Sequence, residues 1–368
     1  MNFFKMNFDF LNFIKQNIKP VFLGVDIGTT SIKIVEVEQG KLKPKITNYA
    51  ILESRGSLLR TNAIFQSSNL KLFDKEIIEL LKEVIKRMKP KTNKVIASIP
   101  VFSVFTTVLK FPEMPENELK QALLFQAKQY VPLSLEEVAF DWQKVGEYED
   151  ENGFKFQAIL LIAIPQDLIR KYQKIFQEVG FQLLALEIEP LSLIRSIIAG
   201  DKIPTIIVDI GSQITSISLV ENAQLKFISQ TDFAGASLTH IIASALNINP
   251  LRAEEIKRER GILGEGADYE LSELMIPIIG FIINEIKKAE FDYNINFGKP
   301  FNFERIILSG GGANLLGLDT YFQKKFNKPA FIAESLLQFE YNEDITLLVK
   351  ELNPILAVSL GLALREFV

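Results

Sequence analysis

The sequence has no cysteine and only one histidine among its 368 residues. The absence of cysteine excludes disulfide bonds, thiolate catalysis and zinc-thiolate sites, and it is typical of proteins in a reducing compartment. A Ser-His-Asp triad or a multi-histidine metal site would have to depend on His240 alone. Any bound metal is therefore expected to be a hard, oxygen-coordinated ion such as Mg²⁺.

The sequence also lacks an excess of one charge and a long apolar run. Its formal net charge is −4, which gives no indication of nucleic-acid binding. The most apolar stretch, residues 274–283, contains Pro277 and is shorter than the roughly 18–20 residues that a membrane-spanning helix needs. Residues 1–19 lack the features of a secretory signal peptide. We therefore expect a cytoplasmic protein.

One motif is present twice, beginning at Asp26 and again at Asp209, an offset of 183 residues. Each copy consists of an apolar strand, an Asp-x-Gly turn, a hydroxyl-bearing loop, a second strand and a polar hairpin turn. The same offset relates Glu38 to Glu221. A single Asp-x-Gly turn is most often only a hairpin turn. Two copies in register indicate a duplicated supersecondary unit.

The repeated turn has the chemistry of a phosphate-binding loop. Backbone amides in a glycine turn and neighbouring hydroxyls can donate to phosphate oxygens, and the carboxylate beside them can hold Mg²⁺ through water. Two facing loops would then bind a nucleoside triphosphate with its magnesium. The candidate residues are Asp26, Gly28, Thr29 and Thr30 in the first loop and Asp209, Gly211 and Ser212 in the second.

Three consecutive glycines, Gly310, Gly311 and Gly312, follow an apolar strand. They would let a ligand approach the backbone, next to the positive end of the following helix. A flexible link between strand and helix is the alternative interpretation. The segment has neither the Walker ending nor the glycine spacing of a dinucleotide fingerprint.

Three charged residues are further candidates. Glu254 and Lys257 lie at i, i+3 on one predicted helix, where a surface ion pair is the alternative. Glu189 precedes a proline at the end of a predicted strand and could orient water or Mg²⁺, or could simply be a solvated acid.

The pattern of elements predicts an α/β protein. An amphipathic helix over residues 72–88 is followed by a strand over 94–99. Residues 101–186 contain two predicted strand-helix units, which is the pattern of a small α+β insert. Residues 1–19 place aromatic and aliphatic side chains at roughly helical spacing. We expect that leader to be a mobile or core-docked helix, or else to offer a face to a membrane surface or a partner.

These motifs, in this order, resemble the actin/Hsp70 ATPase superfamily, and within it the PilM family of type IV pilus assembly proteins, relatives of the cell-division protein FtsA. The more specific similarities lie in residues 114–132, 253–258, 310–312 and 359–365. The resemblance implies an actin-like ATPase fold, with two lobes around a nucleotide cleft and an FtsA/PilM-type inserted α+β subdomain.

The resemblance also implies a division into subdomains. Subdomain 1A would contain residues 20–100 with 187–202 and 355–368, and the insert, 1C, would contain residues 101–186. Subdomain 2A would contain residues 203–245 and 303–354, and 2B would contain residues 246–302. Residues 1–19 would form the leader outside these units.

The resemblance assigns ATP and Mg²⁺ as ligands. The two Asp-x-Gly loops would bind the phosphates, with Asp26 and Asp209 holding the metal through water. Glu254 and Lys257 would hold ribose and adenine, and Gly310, Gly311 and Gly312 would form the adenosine loop. Glu189 is the candidate catalytic residue. Because no histidine base is present at the loops, we expect at most a slow Mg-dependent ATPase in which ATP sets the conformational state.

The resemblance further implies a partner, the cytoplasmic N-terminal peptide of PilN. Pro100, Phe111, Met114 and Tyr130 are the candidate groove residues. The protein would act in the cytoplasm as a scaffold of the pilus inner-membrane platform, peripheral to the membrane through its partners, without binding nucleic acid. Contact with the assembly motor and self-association are left open.

Three rival interpretations come from the same superfamily. An FtsA-like division protein normally ends in a linker and an amphipathic membrane helix, which this chain does not show. A sugar or acetate kinase would need an acceptor pocket with a base near the γ-phosphate, and the sequence offers no convincing one. An Hsp70-like chaperone would need a substrate-binding domain beyond Val368.

Overall fold

The computed structural model describes residues 20–53, 74–149, 153–262 and 269–367. The predicted leader, residues 1–19, lies outside these ranges. The strands of the described chain are Val21–Ile27 (β1), Ser31–Glu38 (β2), Lys45–Glu53 (β3), Lys94–Ile99 (β4), Phe105–Pro112 (β5), Val138–Glu149 (β6), Lys155–Pro165 (β7), Gln182–Ile188 (β8), Thr205–Ile210 (β9), Thr215–Glu221 (β10), Gln224–Thr231 (β11), Arg305–Ser309 (β12) and Ala330–Ile332 (β13).

The α-helices of the described chain are Asp74–Met88 (α1), Glu116–Tyr130 (α2), Gln166–Glu178 (α3), Glu189–Leu193 (α4), Gly235–Leu246 (α5), Pro250–Arg260 (α6), Tyr269–Phe297 (α7), Leu318–Phe326 (α8) and Val349–Leu364 (α9). Helix α1 ends where the sequence predicted, and its charged and apolar positions separate cleanly. Its buried residues recur at helical spacing, because one face packs on a sheet while the other meets solvent.

The first lobe is built on a sheet with strand order β3-β2-β1-β4-β8. β1 pairs antiparallel with β2 and parallel with β4. Alternate side chains of β2 face opposite cores: Ile32 and Ile34 pack with α1 and α3, whereas Val35 and Val37 pack with α9. Because both faces are covered, the strands are apolar on both sides.

The second lobe repeats this topology, with strand order β11-β10-β9-β12-β13. β9 pairs antiparallel with β10 and parallel with β12. The offset of 183 residues is kept in the pairing, since Asp26 lies opposite Lys33 and Asp209 lies opposite Ser216. The duplication predicted from the sequence is therefore a duplication of the sheet itself.

Helix α9 lies against both the first sheet and α4. A Cβ on Gly24 of β1 would lie 1.8 Å from the Ser359 carbonyl oxygen, and a Cβ on Gly361 would lie 1.9 Å from that of Ser192. These two positions need glycine because the backbones approach directly. Within the described residues, the stretch Glu343–Leu364 is long and apolar enough to cross a membrane, but 67% of its apolar window is buried inside the protein. This degree of burial is that of a core helix.

The insert is a three-stranded sheet, β5-β7-β6, covered on one side by α2. The other face of β7, with Ala158, Leu160 and Ile162, joins the main core beside the second lobe. The structure differs from the predicted insert boundary at residue 186. Helix α3 packs with α1, and β8 pairs with β4, so both belong to the first lobe. Sequence periodicity could not show this, because β8 is separated from its partner strand by the whole insert.

Residues 246–302, predicted as subdomain 2B, also divide in the structure. Helix α6 lies beside α5, whereas the 29-residue α7 packs its apolar face on β10 and β11 of the second sheet. Pro277 lies inside α7 without ending it. The stretch after Pro190 is helical as predicted, but it continues from α4 into a π-helical turn, Ile194–Ile198.

Candidate functional site

The two Asp-x-Gly loops have the same backbone geometry. The N–H of Gly28 donates to the Ser31 carbonyl at 2.9 Å, and the N–H of Gly211 donates to the Ile214 carbonyl at 3.0 Å. These bonds join positions related by the 183-residue offset. Each turn lies at the carboxyl end of its first strand, the edge at which α/β sheets bind ligands.

Asp26 is buried at the end of β1, with both carboxylate oxygens bonded. Ser98 Oγ donates to Oδ1 at 2.8 Å, and the Lys33 ammonium lies 2.9 Å from Oδ2. These contacts fix the orientation of the carboxylate. They also mean that Asp26 can reach a metal only through water or by exchanging a partner.

Asp209 is half-buried and is less fully bonded than Asp26. Burial raises its pKa to about 6, the Lys33 ammonium and the Ser309 hydroxyl oppose that shift, and the negative charge of Asp26 adds to it. A carboxylate with this environment gains from an approaching cation. Asp209 is therefore the better placed of the two aspartates to hold Mg²⁺ through water.

Lys33, on β2, is a site residue that sequence reasoning did not identify. Burial lowers its pKa, but the nearby carboxylates, Asp26 foremost, outweigh burial and raise it overall. Asp209 and Glu189 also act on its charge. The one sequence signal was a lysine between two isoleucines, seven positions after Asp26.

Glu189 begins α4, directly after β8. Burial raises the pKa of its carboxyl well above the usual range, and the charges of Asp26 and Asp209 raise it further, against the effect of Lys33. The N–H of Val101 faces the carboxylate and stabilises its charged form. The structure thus brings Asp26, Asp209 and Glu189 together around one lysine.

After β12, Gly310 is the N-cap residue of a short 3₁₀ turn, Gly311–Asn314, which begins with the other two glycines. A Cβ on Gly310, whose φ is +79°, would lie 2.5 Å from the Ile210 carbonyl oxygen, and a Cβ on Gly312 would lie 2.3 Å from Ile210 Cγ2. A Cβ on Gly311 would meet nothing within 4 Å. Gly310 and Gly312 therefore serve packing against the second loop, and Gly311 is the open position at which a ligand could approach.

Glu254 and Lys257 form a mostly buried pair, with Lys257 Nζ 2.6 Å from Glu254 Oε2. Lys257 also donates to the Gly235 carbonyl at 3.0 Å and to Thr239 Oγ1 at 2.9 Å. All three ammonium hydrogens are therefore used within the protein. Lys257 anchors the start of α5 and has no donor left for adenine, whereas Glu254 also accepts a bond from Arg258 at 2.8 Å.

The start of α5 extends the second Asp-x-Gly loop. The N–H of Gly235 donates to the Gly211 carbonyl at 3.1 Å, and the N–H of Ala236 donates to the Ser212 carbonyl at 2.7 Å. Sequence reasoning missed Gly235, because a single glycine near a helix start is common and carries no specific signal. A chain of contacts thus runs from Glu254 through Lys257 and Gly235 to the loop.

Among the residues that the structure describes, no three acidic or histidine side chains lie close enough to hold a metal by themselves. The donor set still fits a magnesium ion that arrives with phosphate oxygens, because Mg²⁺ is commonly bound by one or two carboxylates together with substrate phosphates and water. Asp26 and Asp209 would be those carboxylates. Thr29 and Thr30 are half-buried in the first loop, where their hydroxyls could face phosphate.

The predicted partner residues do not lie together. Tyr130 lines a groove of about 380 Å³ between the insert and the second lobe. Phe111 is buried in the core of the insert, and Met114 packs against the same core. Pro100 lines a separate small cavity beside Gly28. Of the four predicted residues, only Tyr130 lines this groove, so the prediction that they share one groove is wrong. Phe111 is absent from it because β5 turns that side chain inward, towards α2.

The groove is bounded by two strands that each lie at the edge of a sheet, β5 and β11. Its walls combine apolar and polar side chains. The residues lining it are Val101, Val104, Phe105, Thr106, Thr107, Tyr130, Val131, Leu161, Ile228, Ser229, Gln230, Glu285 and Lys288. Edge strands carry unpaired backbone groups, which an extended segment can bind.

Comparison with known proteins places these features in a family. The family model described as type IV pilus assembly protein PilM matches residues 24–367. The cell division protein FtsA of Enterococcus faecalis is 22% identical over 346 residues, covering 83% of this chain and 77% of that protein. FtsA of Streptococcus pneumoniae is 23% identical over 354 residues, covering 83% of this chain and 73% of that protein.

Solved structures show the same fold. The PilM-PilN type IV pilus biogenesis complex superposes with a TM-score of 0.75 at 21% identity, covering 93% of this chain and 97% of that one. MreB5 of Spiroplasma citri bound to AMPPNP superposes with a TM-score of 0.53 at 14% identity, covering 94% and 96%. The predicted actin-like fold is thereby confirmed.

Proposed function

The chain belongs to the family of type IV pilus assembly protein PilM, and we propose that it is an ATP-binding scaffold of pilus assembly whose nucleotide sets its affinity for a partner peptide. The observation that carries the nucleotide part is the matched geometry of the two Asp-x-Gly loops. They make the same backbone bond, and their aspartates act on one buried lysine, Lys33.

The phosphates would bind between the loops. Backbone amides near Gly28 and Gly211, the hydroxyls of Thr29 and Thr30, and the Lys33 ammonium supply donors and positive charge for them. Magnesium would supply charge neutralisation of the phosphates, and Asp209 would hold its water. Glu254 would face the ribose from α6, and the base would lie at Gly311.

Hydrolysis, where it occurs, would be slow. Glu189 lies near both loops and forms no ion pair with any other described residue, and it is the candidate that would orient the attacking water. Phosphoryl transfer depends mainly on positioning and electrostatic stabilisation, so binding without fast turnover is expected. The protein would use ATP mainly to select a conformation.

The proposed partner is the N-terminal cytoplasmic peptide of PilN. One of the solved structures with the same fold is a PilM-PilN complex, which supports a partner of this kind. In this chain the groove between β5 and β11 is the site that suits an extended peptide, and Tyr130 is the predicted residue that lines it. Through that partner the protein would act at the cytoplasmic face of the inner membrane, within the assembly platform.

The nucleotide part is tested by calorimetric titration of Mg·ATP into the Asp209→Ala protein. We expect at least about tenfold weaker binding, because one charged contact typically contributes 1.5–3 kcal/mol. Asp344→Ala, which changes an exposed aspartate outside both Asp-x-Gly loops, should bind Mg·ATP as tightly as the unaltered protein. Equal affinity in the Asp209 variant would refute the proposed binding mode.

The partner part is tested by fluorescence anisotropy with a labelled peptide of the PilN N-terminus. Micromolar or tighter binding is expected, and Tyr130→Ala should weaken it. Absence of binding in every nucleotide state would favour the FtsA-like alternative, which the FtsA relatives support. Turnover with sugars or acetate as acceptors would favour a kinase instead.

A further inference from the structure

Three neighbouring strands of the first sheet end side by side at the nucleotide loops. β4 lies between β1 and β8, with Val25 opposite Ala97 and Ile99 opposite Ile188. The residues that follow these strands, Gly28, Pro100 and Glu189, therefore lie next to one another at one edge of the sheet. The insert begins at this edge, directly after Pro100.

The first turn of the insert is a 3₁₀ helix, Val101–Ser103, with Pro100 as its N-cap residue. A helix start leaves backbone N–H groups without partners in the helix, and Pro100 makes no side-chain cap hydrogen bond. The N–H of Val101 lies close enough to the Glu189 carboxyl group to stabilise its charged form, so Glu189 can serve as an acceptor at this helix start. A residue of the nucleotide site thus holds the start of the insert.

The same turn contacts two cavities. On one side, Phe102 and Ser103 line the small cavity next to Gly28 and Thr29 of the first phosphate loop. On the other side, Val101 and the residues after it line the groove of about 380 Å³ between β5 and β11. A displacement of this turn would therefore change the groove wall directly.

Glu189 is the group through which a nucleotide would act on the turn. Its carboxyl group lies close enough to Asp26, Asp209 and Lys33 to interact electrostatically with all three, and these residues surround the space between the loops. Phosphate placed there would repel the Glu189 carboxylate, and water bound to magnesium would compete with Val101 for it. The bond to Val101 would then differ between nucleotide states.

We propose that Glu189 and the turn Val101–Ser103 transmit the state of the bound nucleotide to the peptide groove. This inference rests on the proposed function, since it assumes a nucleotide between the loops and a peptide in the groove. Glu189 acts here as a positioning residue for the groove, separately from any part in hydrolysis. The peptide affinity depends on whether the third phosphate is present.

The first test measures the amide itself. Hydrogen–deuterium exchange of the segment containing Val101 should differ between saturating Mg·ADP and Mg·AMPPNP in the parent protein. In Glu189→Gln, which cannot respond through its charge, the two nucleotides should give the same exchange. Glu178→Gln, an exposed acid at the end of α3, should keep the parent difference.

The second test measures how strongly the bound nucleotide changes the affinity for the peptide. Peptide affinity should differ between the two saturating nucleotides by about 5- to 150-fold in the parent, the usual range of allosteric coupling. The ratio should fall to within about twofold in Glu189→Gln and in Glu189→Ala. Since only the ratio at saturation is compared, a change in nucleotide affinity does not alter the result.

Failure of this inference and failure of the proposed function give different results. If nucleotide and peptide both bind but the peptide affinity is equal in all nucleotide states, the transmission through Glu189 is overturned and the scaffold function still stands. A parent ratio that persists in both Glu189 variants would also overturn that transmission. Lack of nucleotide or peptide binding in the parent would overturn the proposed function itself.

Discussion

Lys33 and Asp26 face each other across the β1–β2 pair, with the ammonium nitrogen 2.9 Å from Oδ2 of the carboxylate. The lysine is largely buried, and it acts on the carboxylates of both Asp-x-Gly loops and of Glu189. One positive charge therefore lies among three carboxyl groups at the point where the phosphates would bind. Its place is determined by strand register, not by the loops themselves.

Replacement of Lys33 by methionine should weaken Mg·ATP binding by about 10- to 100-fold, since charge-assisted hydrogen bonds contribute 1.5–3 kcal/mol. The measurement is calorimetric titration well below the melting temperature, because the change also leaves Asp26 without its ion pair. Lys41→Met, at an exposed lysine beyond β2, should bind normally. Unchanged affinity in the Lys33 variant would remove the lysine from the site.

Alanine substitutions at the three glycines should distinguish the positions needed for packing from the position that contacts a ligand. Gly310→Ala introduces a Cβ at positive φ, 2.5 Å from a carbonyl oxygen, and Gly312→Ala introduces one 2.3 Å from Ile210. Each should cost at least about 2 kcal/mol in the free energy of unfolding. Gly311→Ala should be nearly neutral in denaturant unfolding yet weaken nucleotide binding. A stability loss equal to that of its neighbours would contradict this assignment.

The contributions of Lys257 and Glu254 to the free energy of unfolding should depend on each other. Lys257→Met leaves Glu254 with Arg258 as its one cationic partner beside the Thr239 hydroxyl, and it removes the bond to Gly235, so we expect a loss of about 2–4 kcal/mol in unfolding free energy. The double variant Lys257→Met with Glu254→Gln should recover part of that loss, because no uncompensated charge remains. Additive losses in the double variant would show that the two side chains act independently.

Stability should depend on pH through Asp141, on β6 of the insert. Burial raises the pKa of this carboxyl to about 6, and its Oδ2 is buried without a hydrogen-bond partner. The folded protein therefore holds the proton more tightly than the unfolded chain. The stabilising contribution is complete below the unfolded value near 4 and is lost as the pH rises through about 6.

Asp141→Asn should consequently raise the unfolding free energy at pH 7.5 by about 1–2 kcal/mol, since one pKa unit corresponds to 1.36 kcal/mol. Near pH 4 the variant and the parent should unfold alike. Thermal unfolding across this range is the measurement, with Asp167→Asn, at an exposed aspartate of α3, as the matched control. A constant difference at all pH values would exclude titration as the cause.

The sequence predicted the duplicated loops because an Asp-x-Gly turn is a local motif and its recurrence at a fixed offset is visible in one dimension. It did not predict Lys33, whose role depends on which residue of β2 lies opposite Asp26. Nor did it predict that Lys257 would use all its donors on Gly235, Thr239 and Glu254, since the first two of these partners come from a different helix.

The groove between β5 and β11 illustrates the same limit. Phe111 and Leu109 share one face of β5, but only the packed fold shows that α2 covers that face. Tyr130 lies at the end of α2, where its side chain leaves the core and reaches the groove. The sequence showed which side chains were apolar, and tertiary packing decided which remained accessible.

Helix α9 contacts both lobes, and Pro354 lies where it meets the glycine turn. The Pro354 carbonyl accepts the N–H of Gly310 at 3.0 Å, while the rest of the helix packs against the first sheet. Arg258 of α6 lies 3.7 Å from Glu53 at the end of β3, so an exposed ion pair also joins the lobes. A rotation of one lobe against the other would change this separation while α9 keeps both lobes attached at the glycine turn. Because the chain has no cysteine, spectroscopic labels introduced on either side of the ion pair would report that change.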